Sequence, residues 1–218
     1  MSDDKARGIT MQDLDRIHRY HDQQNAIWAG LVVEVLGSFT QVQFAVDTLA
    51  TSFFKKEMSE LSTFLNKRLL DRVKDEERVE LLLGIARHLG SDAPVAVYKE
   101  VFLRVKHGRD LIAHSPGVRP CILEGRMGVN FKSHRGYQSA KKAERPPSGV
   151  PEIIREEHLR QWIREARWLS DVAMYVVSEF ELRPLIDIAG EPCPSPRPPD
   201  LPYASDGESV WDYPTPPQ

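Results

Sequence analysis

The stretch "RVKHGRDLIAHSPG", residues 104–117, carries side chains that could act on a phosphate group. Arg109 can bind an anion through its planar guanidinium, and His114 can transfer a proton near neutral pH. Asp110 precedes His114 by four residues, so on a helix its carboxylate could accept a ring N–H and make the imidazole more basic. These three residue types together suit acid–base chemistry on a phosphodiester.

Arg109 lies among apolar residues on its helix, so its side chain needs a charged partner or water. Helical periodicity puts Arg109 on a stripe with apolar residues, namely Tyr98, Val101, Phe102, Val105 and Ile112. An unpaired guanidinium there would cost several kcal/mol, so Arg109 needs an acid of a neighbouring helix, a phosphate or water.

His114 lies about 140° around an ideal helix from Arg109, so the two do not share a face. The alternative for His114 is a C-terminal histidine favoured by the helix dipole.

Amphipathic periodicity predicts the helices that must position this motif. A first long helix begins near residue 11, and its apolar seam consists of Trp28, Val32, Val35, Phe39, Val42, Val46, Leu49 and Phe53. Residues 58–90 read as helical with Gly90 as a left-handed cap, and we interpret the charged run "DRVKDEERVE" within them as a solvated face or a bend. The motif helix runs from about Pro94 to about His114, with Asp92 as its N-terminal cap, and Pro116 ends it. A final helix spans about 156–182, and its apolar seam consists of Leu159, Trp162, Ile163, Ala166, Leu169, Ala173, Val176, Val177 and Phe180.

Together these elements predict an all-α protein. We expect an antiparallel bundle of four to five helices in residues 1–183, with a short β-hairpin, formed by "CILE" and "VNFK", inserted before the last helix. Residues 184–218 hold 10 of the 16 prolines, and acidic residues outnumber basic residues there by six to one. This composition predicts a disordered, proline-rich acidic tail.

The hexapeptide "RDLIAH", at the end of its helix and followed by a hairpin and a closing helix, resembles the R-x4-6-H motif of the HEPN superfamily. The resemblance covers roughly residues 11–183. It implies a metal-independent endoribonuclease of toxin or defence type, which dimerises so that two motifs form one cleft. In that cleft Arg109 would bind the scissile phosphate, His114 would transfer a proton and Asp110 would hold the histidine. The second motif position is often asparagine in this superfamily, and many members are non-catalytic.

Basic residues around the motif suggest a surface for RNA. Residues 119–145 carry seven Lys and Arg against two Glu, with an aromatic residue among them, which suits phosphate contacts and base stacking. The candidate RNA-binding residues are Arg104, Lys106, Lys132, Arg135, Tyr137, Lys141, Lys142 and Arg145. The alternative is a loop that is basic only for solubility.

Composition limits the other function classes. The net charge of −3 exerts no global attraction to nucleic acid or membrane, the two cysteines suggest no disulfide framework, and no export signal or apolar span is evident, so we expect a cytoplasmic protein. His18, His21 and Asp22 lack further ligands at metal-site spacing, and no cofactor motif appears, so we expect neither metal nor cofactor.

Three functions remain open from the sequence. The first is the RNA-cleaving homodimer, with an antitoxin or regulatory protein as a further partner. The second is a non-catalytic module that binds RNA or a nucleotide. The third is a protein-interaction module that presents the proline-rich tail as an extended ligand.

Overall fold

The computed structural model describes residues 11–60, 62–64, 72–115, 118–123, 126–131 and 154–189. These residues are mostly helical and their arrangement is bundle-like, which confirms the all-α prediction. The elements in chain order are α1 (Met11–Glu57), α2 (Ser62–Phe64), α3 (Asp75–Leu89), α4 (Tyr98–Ala113), β1 (Val118–Leu123), β2 (Arg126–Phe131) and α5 (Glu156–Ala189). Residues 190–218, most of the predicted tail, lie outside the described residues.

The two longest helices, α1 and α5, pack against each other and form the main core with α3 and α4. The predicted seams are confirmed, because most of their side chains are buried: in α1 these are Trp28, Val35, Phe39, Val42, Val46 and Leu49, and in α5 Leu159, Trp162, Ile163, Ala166, Leu169, Ala173, Val176, Val177 and Phe180. Val32 and Phe53 of the α1 seam are half-buried. Burial of these side chains supplies the main free energy that favours the folded arrangement.

Helix α3 begins and ends on recognisable signals. Three consecutive acids, Asp75, Glu76 and Glu77, occupy its first turn, where carboxylates stabilise the positive end of the helix dipole. The backbone N–H of Lys74 donates to Glu77 Oε2 at 2.9 Å. At the other end Gly90 adopts φ 62°, which confirms the predicted left-handed cap. The charged run of the sequence therefore contains the start of a helix.

The start of α4 differs from the prediction. The helix begins at Tyr98, not at Pro94, and its N-cap is Val97. Asp92 does not cap it, because the Asp92 carboxylate accepts a hydrogen bond from the hydroxyl of Tyr175 on α5, at 2.5 Å. The hydroxyl of Tyr98 donates to the backbone carbonyl of Leu169 on the same helix. Contacts with α5 thus override the local start signal.

Helix α5 ends at Ala189, seven residues later than predicted, and therefore passes through Pro184. A proline within a helix leaves the carbonyl four residues earlier, here that of Phe180, without its usual N–H donor. Lys56 Nζ, at the end of α1, donates to this carbonyl at 3.1 Å and lies 4.1 Å from the centre of the Phe180 ring. A tertiary contact thus replaces the backbone hydrogen bond that Pro184 removes.

Strands β1 and β2 lie between α4 and α5 in the chain and pair antiparallel. In this register Val118 is opposite Phe131, and Cys121 is opposite Gly128.

Helix α1 contains a stretch, Leu14–Glu57, that is long and apolar enough to cross a membrane by length and composition. Core helices of soluble proteins pass the same criterion, and here Val35, Phe39 and Leu49 pack in the interior of the bundle. Near the N-terminus of α1, Met11, Leu14 and Tyr20 are exposed.

Candidate functional site

Helix α4 approaches α5 closely at Gly108, immediately before the motif. A Cβ atom at this position would lie 2.6 to 2.7 Å from ring atoms of Trp162, closer than packed carbon atoms approach. Glycine in a helix interior is normally unfavourable by about 1 kcal/mol relative to alanine. Here its small size allows the two helices to pack together, and this packing fixes the position of Arg109 one residue later.

Arg109 lies between α1, α3 and its own helix. Its Nη2 atom is 2.8 Å from Asp75 Oδ2 and its Nη1 atom is 3.0 Å from Asp110 Oδ1. The guanidinium carbon is 4.4 Å from the centre of the Phe39 ring, a cation–π contact. The side chain retains 22% of its exposure, so part of it reaches solvent. The interpretation that pairs Arg109 with an acid of a neighbouring helix is therefore confirmed.

Asp75, the first residue of α3, binds partners from three helices. Its Oδ2 atom contacts Arg109, whereas its Oδ1 atom accepts a hydrogen bond from Gln43 Nε2 at 2.7 Å and lies 3.5 Å from Arg78 Nη1. Arg78 Nε in turn lies 3.0 Å from Asp47 Oδ1 on α1. Asp75 therefore joins Arg109 to the body of the bundle.

Asp110 is buried, and basic side chains contact both of its carboxylate oxygens. Arg109 lies against Oδ1, and Lys106 Nζ lies 3.0 Å from Oδ2. Lys106 also contacts Glu76 Oε1 at 3.1 Å. Burial alone would lower the pKa of Lys106, but its hydrogen bonds with Asp110 and Glu76 outweigh burial and raise the pKa. Lys106 therefore stays charged throughout the neutral range.

We refer to Asp47, Asp75, Glu76, Arg78, Lys106, Arg109 and Asp110 as the α1–α3–α4 charge cluster. Its three cations face four carboxylates, and ion pairs of 2.8 to 3.5 Å connect the members. The cluster is half-buried at the junction of the three helices, where charges interact more strongly than in open solvent. It brings together three of the predicted site residues: Lys106, Arg109 and Asp110.

His114 occupies the C-cap of α4 with φ −104° and ψ 6°, and its side chain is exposed. Its backbone N–H donates to the carbonyl oxygen of Asp110 at 3.0 Å. This position agrees with a histidine that is favoured by the negative end of the helix dipole. That Asp110 also accepts a ring N–H from His114 stays a prediction. The imidazole is accessible to solvent, whereas the motif arginine is largely enclosed.

Arg104 corrects one of the RNA-binding predictions. Its side chain is 1% exposed, and its Nη2 and Nη1 atoms lie 3.3 Å from Glu165 Oε1 and 3.0 Å from Glu100 Oε1. The side chain amide of Gln161 also donates to Glu165. A phosphate backbone cannot reach a guanidinium inside the core, so Arg104 is a structural residue that joins α4 to α5.

The remaining predicted RNA-binding residues, Lys132, Arg135, Tyr137, Lys141, Lys142 and Arg145, lie outside the described residues. His18, His21 and Asp22 lie on an exposed part of α1. Within the described ranges, no group of three or more His, Cys, Asp or Glu side chains is arranged to hold a metal ion.

The sequence did not reveal Asp75 and Phe39 as neighbours of Arg109, or Gln43 as a partner of Asp75. Asp75 is 34 residues away in the chain and belongs to a charged run that we interpreted as a solvated face or a bend. Phe39 was recognised only as a core residue. The one available signal was Arg109 itself, whose position on an apolar stripe required an acid of a neighbouring helix, a phosphate or water.

We compared the chain with family models, with curated proteins and with solved structures, and none matches it.

Proposed function

We propose that the protein is a metal-independent endoribonuclease of toxin or defence type, with Arg109 and His114 as its catalytic residues. The observation that supports this most directly is the combination, at the end of α4, of a partly exposed arginine with an exposed histidine. The hexapeptide "RDLIAH" resembles the R-x4-6-H motif of the HEPN superfamily. That resemblance implies that the arginine binds the scissile phosphate and that the histidine transfers a proton.

The proposed chemistry needs no group beyond the RNA, water and these side chains. His114 accepts the proton of a ribose 2′-hydroxyl while the 2′-oxygen attacks the adjacent phosphorus atom. The P–O5′ bond breaks, a water molecule gives a proton to the leaving 5′-oxygen and recovers one from His114, and a 2′,3′-cyclic phosphate remains. Arg109 stabilises the negative charge that develops on the phosphate oxygens. Asp110 acts as a positioning residue through Arg109 and His114.

The proposal includes a cytoplasmic homodimer. Within one helix Arg109 and His114 point in different directions, and a two-fold axis beside α4 would bring an arginine of one protomer towards a histidine of the other. The finer architecture belongs to this proposal as well: an antiparallel bundle of four to five helices with the hairpin inserted before the last helix. The basic residues of 119–145 would follow the RNA backbone, and an antitoxin or regulatory protein would bind the same face.

The test is cleavage of a defined single-stranded RNA, with and without EDTA. We expect cleavage that survives the chelator, is lost in Arg109→Ala and in His114→Ala, and stops when the nucleotide 5′ to the cut carries 2′-deoxyribose. Arg87→Ala, an exposed arginine on α3, is the matched control and should cleave like the wild type. Unchanged cleavage by His114→Ala would exclude His114 as the catalyst.

A mixing experiment tests the shared cleft. Arg109→Ala and His114→Ala proteins are denatured together and refolded to allow mixed dimers. Recovery of cleavage in the mixture, but not in either protein alone, would mean that one cleft uses residues of two protomers. A protein that is monomeric by light scattering at micromolar concentration contradicts this part of the proposal.

A second candidate is a non-catalytic module that binds RNA or a nucleotide, or that acts in protein interaction. The ion pairs of Arg109 favour it, because two carboxylates already neutralise the guanidinium that a phosphate would need. This candidate predicts binding that weakens with salt, without any cleavage. Neutralising Lys141, Lys142 and Arg145 together should weaken that binding.

A further inference from the structure

The carboxylate of Asp75 lies where Arg109 would hold a phosphate oxygen. Its Oδ2 atom is 2.8 Å from Arg109 Nη2, the distance of a strong charge-assisted hydrogen bond. Carboxylate and phosphate oxygens bind the same guanidinium N–H groups. A phosphate that binds Arg109 through Nη2 must therefore replace Asp75.

The charge balance around Arg109 also opposes a phosphate. The α1–α3–α4 charge cluster contains one more carboxylate than cations. An approaching anion thus meets the carboxylates of Asp75 and Asp110 beside Arg109, at a half-buried position where like charges repel more strongly than in bulk water.

The other contacts of Asp75 show that it can release Arg109 without leaving the bundle. Its two carboxylate oxygens have different partners: Oδ2 contacts Arg109, whereas Oδ1 accepts a hydrogen bond from Gln43 and contacts Arg78. Replacing Asp75 by a phosphate at Nη2 therefore costs one ion pair, while Gln43 and Arg78 continue to hold the carboxylate. Arg109 Nε is buried and has no hydrogen-bond partner among the described residues, so it offers an incoming anion no second donor at the surface.

We infer that Asp75 is a built-in competitor for the phosphate that Arg109 binds, and that it keeps the affinity of the resting protein for RNA low. The inference rests on the proposed role of Arg109 and adds Asp75 as the residue that regulates it. Any event that draws Asp75 away from Arg109, such as the binding of a basic partner at the start of α3, would increase RNA binding at this site.

The test uses the full chain and a fluorescent single-stranded RNA of 2′-O-methyl nucleotides, which cannot be cleaved by 2′-hydroxyl attack. Asp75→Asn keeps the shape of the side chain and removes its charge, and Asp75→Ser is a second, smaller and uncharged variant. We expect either variant to lower the Kd about five- to tenfold at low salt, with a smaller effect at high salt.

Glu80→Gln is the matched control. It removes one negative charge from the same helix, but Glu80 pairs with Lys99 and belongs to no ion pair of the cluster. Its Kd should change less than twofold. Adding Arg109→Ala to Asp75→Asn should abolish the gain, because the competition acts through the guanidinium. The melting temperature of every variant is measured as well, so that Kd values are compared between folded proteins only.

Each outcome decides between the two proposals. No gain in Asp75→Asn, no measurable binding by it, or a gain that persists in the Arg109→Ala background overturns the competition. If the wild type cleaves unmodified RNA but Asp75→Asn shows no gain in RNA affinity, the proposed endoribonuclease activity is supported and only the competing role of Asp75 is excluded. Tighter binding by Asp75→Asn without cleavage by any variant supports the competitor in a binding protein and removes the endoribonuclease.

Discussion

Two arginines five residues apart on α4 illustrate how one residue type takes different roles. Arg104 points towards α5 and pairs with Glu165, which is fully buried. Arg109 points towards α1 and α3, stays partly exposed and lies over an aromatic ring. A buried ion pair contributes little net stability, but losing one partner is costly, because the other remains charged in the interior. Arg104 thus supports the fold, whereas the partly exposed Arg109 remains the arginine of the proposed site.

Replacement of Arg104 by alanine tests this difference. We expect Arg104→Ala to lower the free energy of unfolding by about 3–5 kcal/mol, because it removes the cation that lies against Glu165. Arg87→Ala, which truncates an exposed arginine on α3, should change it by about 0.5 kcal/mol or less. The measurement is urea unfolding followed by circular dichroism. An Arg104→Ala protein as stable as the wild type contradicts the structural role.

At the scale of elements, the packing of α4 on α5 depends on a glycine. Gly108→Ala should lower the free energy of unfolding by about 1–3 kcal/mol, because the added methyl group overlaps the Trp162 ring and forces the helices apart. Gly84→Ala on α3 is the matched control. Nothing lies within 4 Å of the added Cβ atom there, so it should stabilise by up to about 1 kcal/mol through helix propensity. Equal effects of the two substitutions in urea unfolding would contradict the close approach.

The start of α5 depends on a histidine that acts as a cap. The backbone N–H of Arg155 donates to His158 Nδ1 at 2.9 Å, the arrangement that Glu or Gln provides in a capping box. Burial lowers the pKa of His158, with opposing effects from Glu157 and Arg155, so the folded state favours the neutral ring. The stability from this group is present above its unfolded pKa of 6.5 and is lost as the pH falls below it.

His158→Gln should retain the cap and remove this pH dependence. We expect the melting temperatures of the two proteins to be similar at pH 8. Between pH 7 and pH 5, the melting temperature of the wild type should fall more than that of the variant. Thermal unfolding across this range gives the comparison. Parallel pH profiles of the wild type and the variant would show that protonation of His158 does not weaken the helix start.

At the scale of the whole molecule, the loop between α3 and α4 is tied to the second half of α5. Ser91 donates to the Glu179 carboxylate and Tyr175 donates to Asp92. Burial raises the pKa of Glu179, and the nearby Asp92 raises it further. A carboxyl whose pKa is raised in the folded state binds its proton more tightly there, so stability falls as the pH rises from about 4.5 through the folded pKa.

Glu179→Gln should therefore stabilise the protein at pH 7 and lose this advantage near pH 4.5. The expected gain in melting temperature at pH 7 is roughly a few degrees. Glu181→Gln, an exposed carboxylate two residues later on the same helix, is the control and should show no comparable gain. A gain for Glu179→Gln of equal size at both pH values would contradict the raised pKa.

The sequence by itself determined the helices and their buried faces, because amphipathic periodicity follows from local geometry and the burial of apolar side chains. It also determined the left-handed cap at Gly90 and the need of Arg109 for a polar partner, which it left open as an acid, a phosphate or water. It did not predict the first turn of α4 or the passage of α5 through Pro184, where contacts with another helix replace local signals.

Only the tertiary structure decided the partners of the charged residues. It placed Asp75, 34 residues earlier in the chain, against Arg109, and it buried Arg104 against Glu165 on α5. Periodicity gives the face of a helix on which a residue lies, but the rotation and packing of the helices decide which side chain meets it. The α1–α3–α4 charge cluster could be identified only once three helices had been brought together.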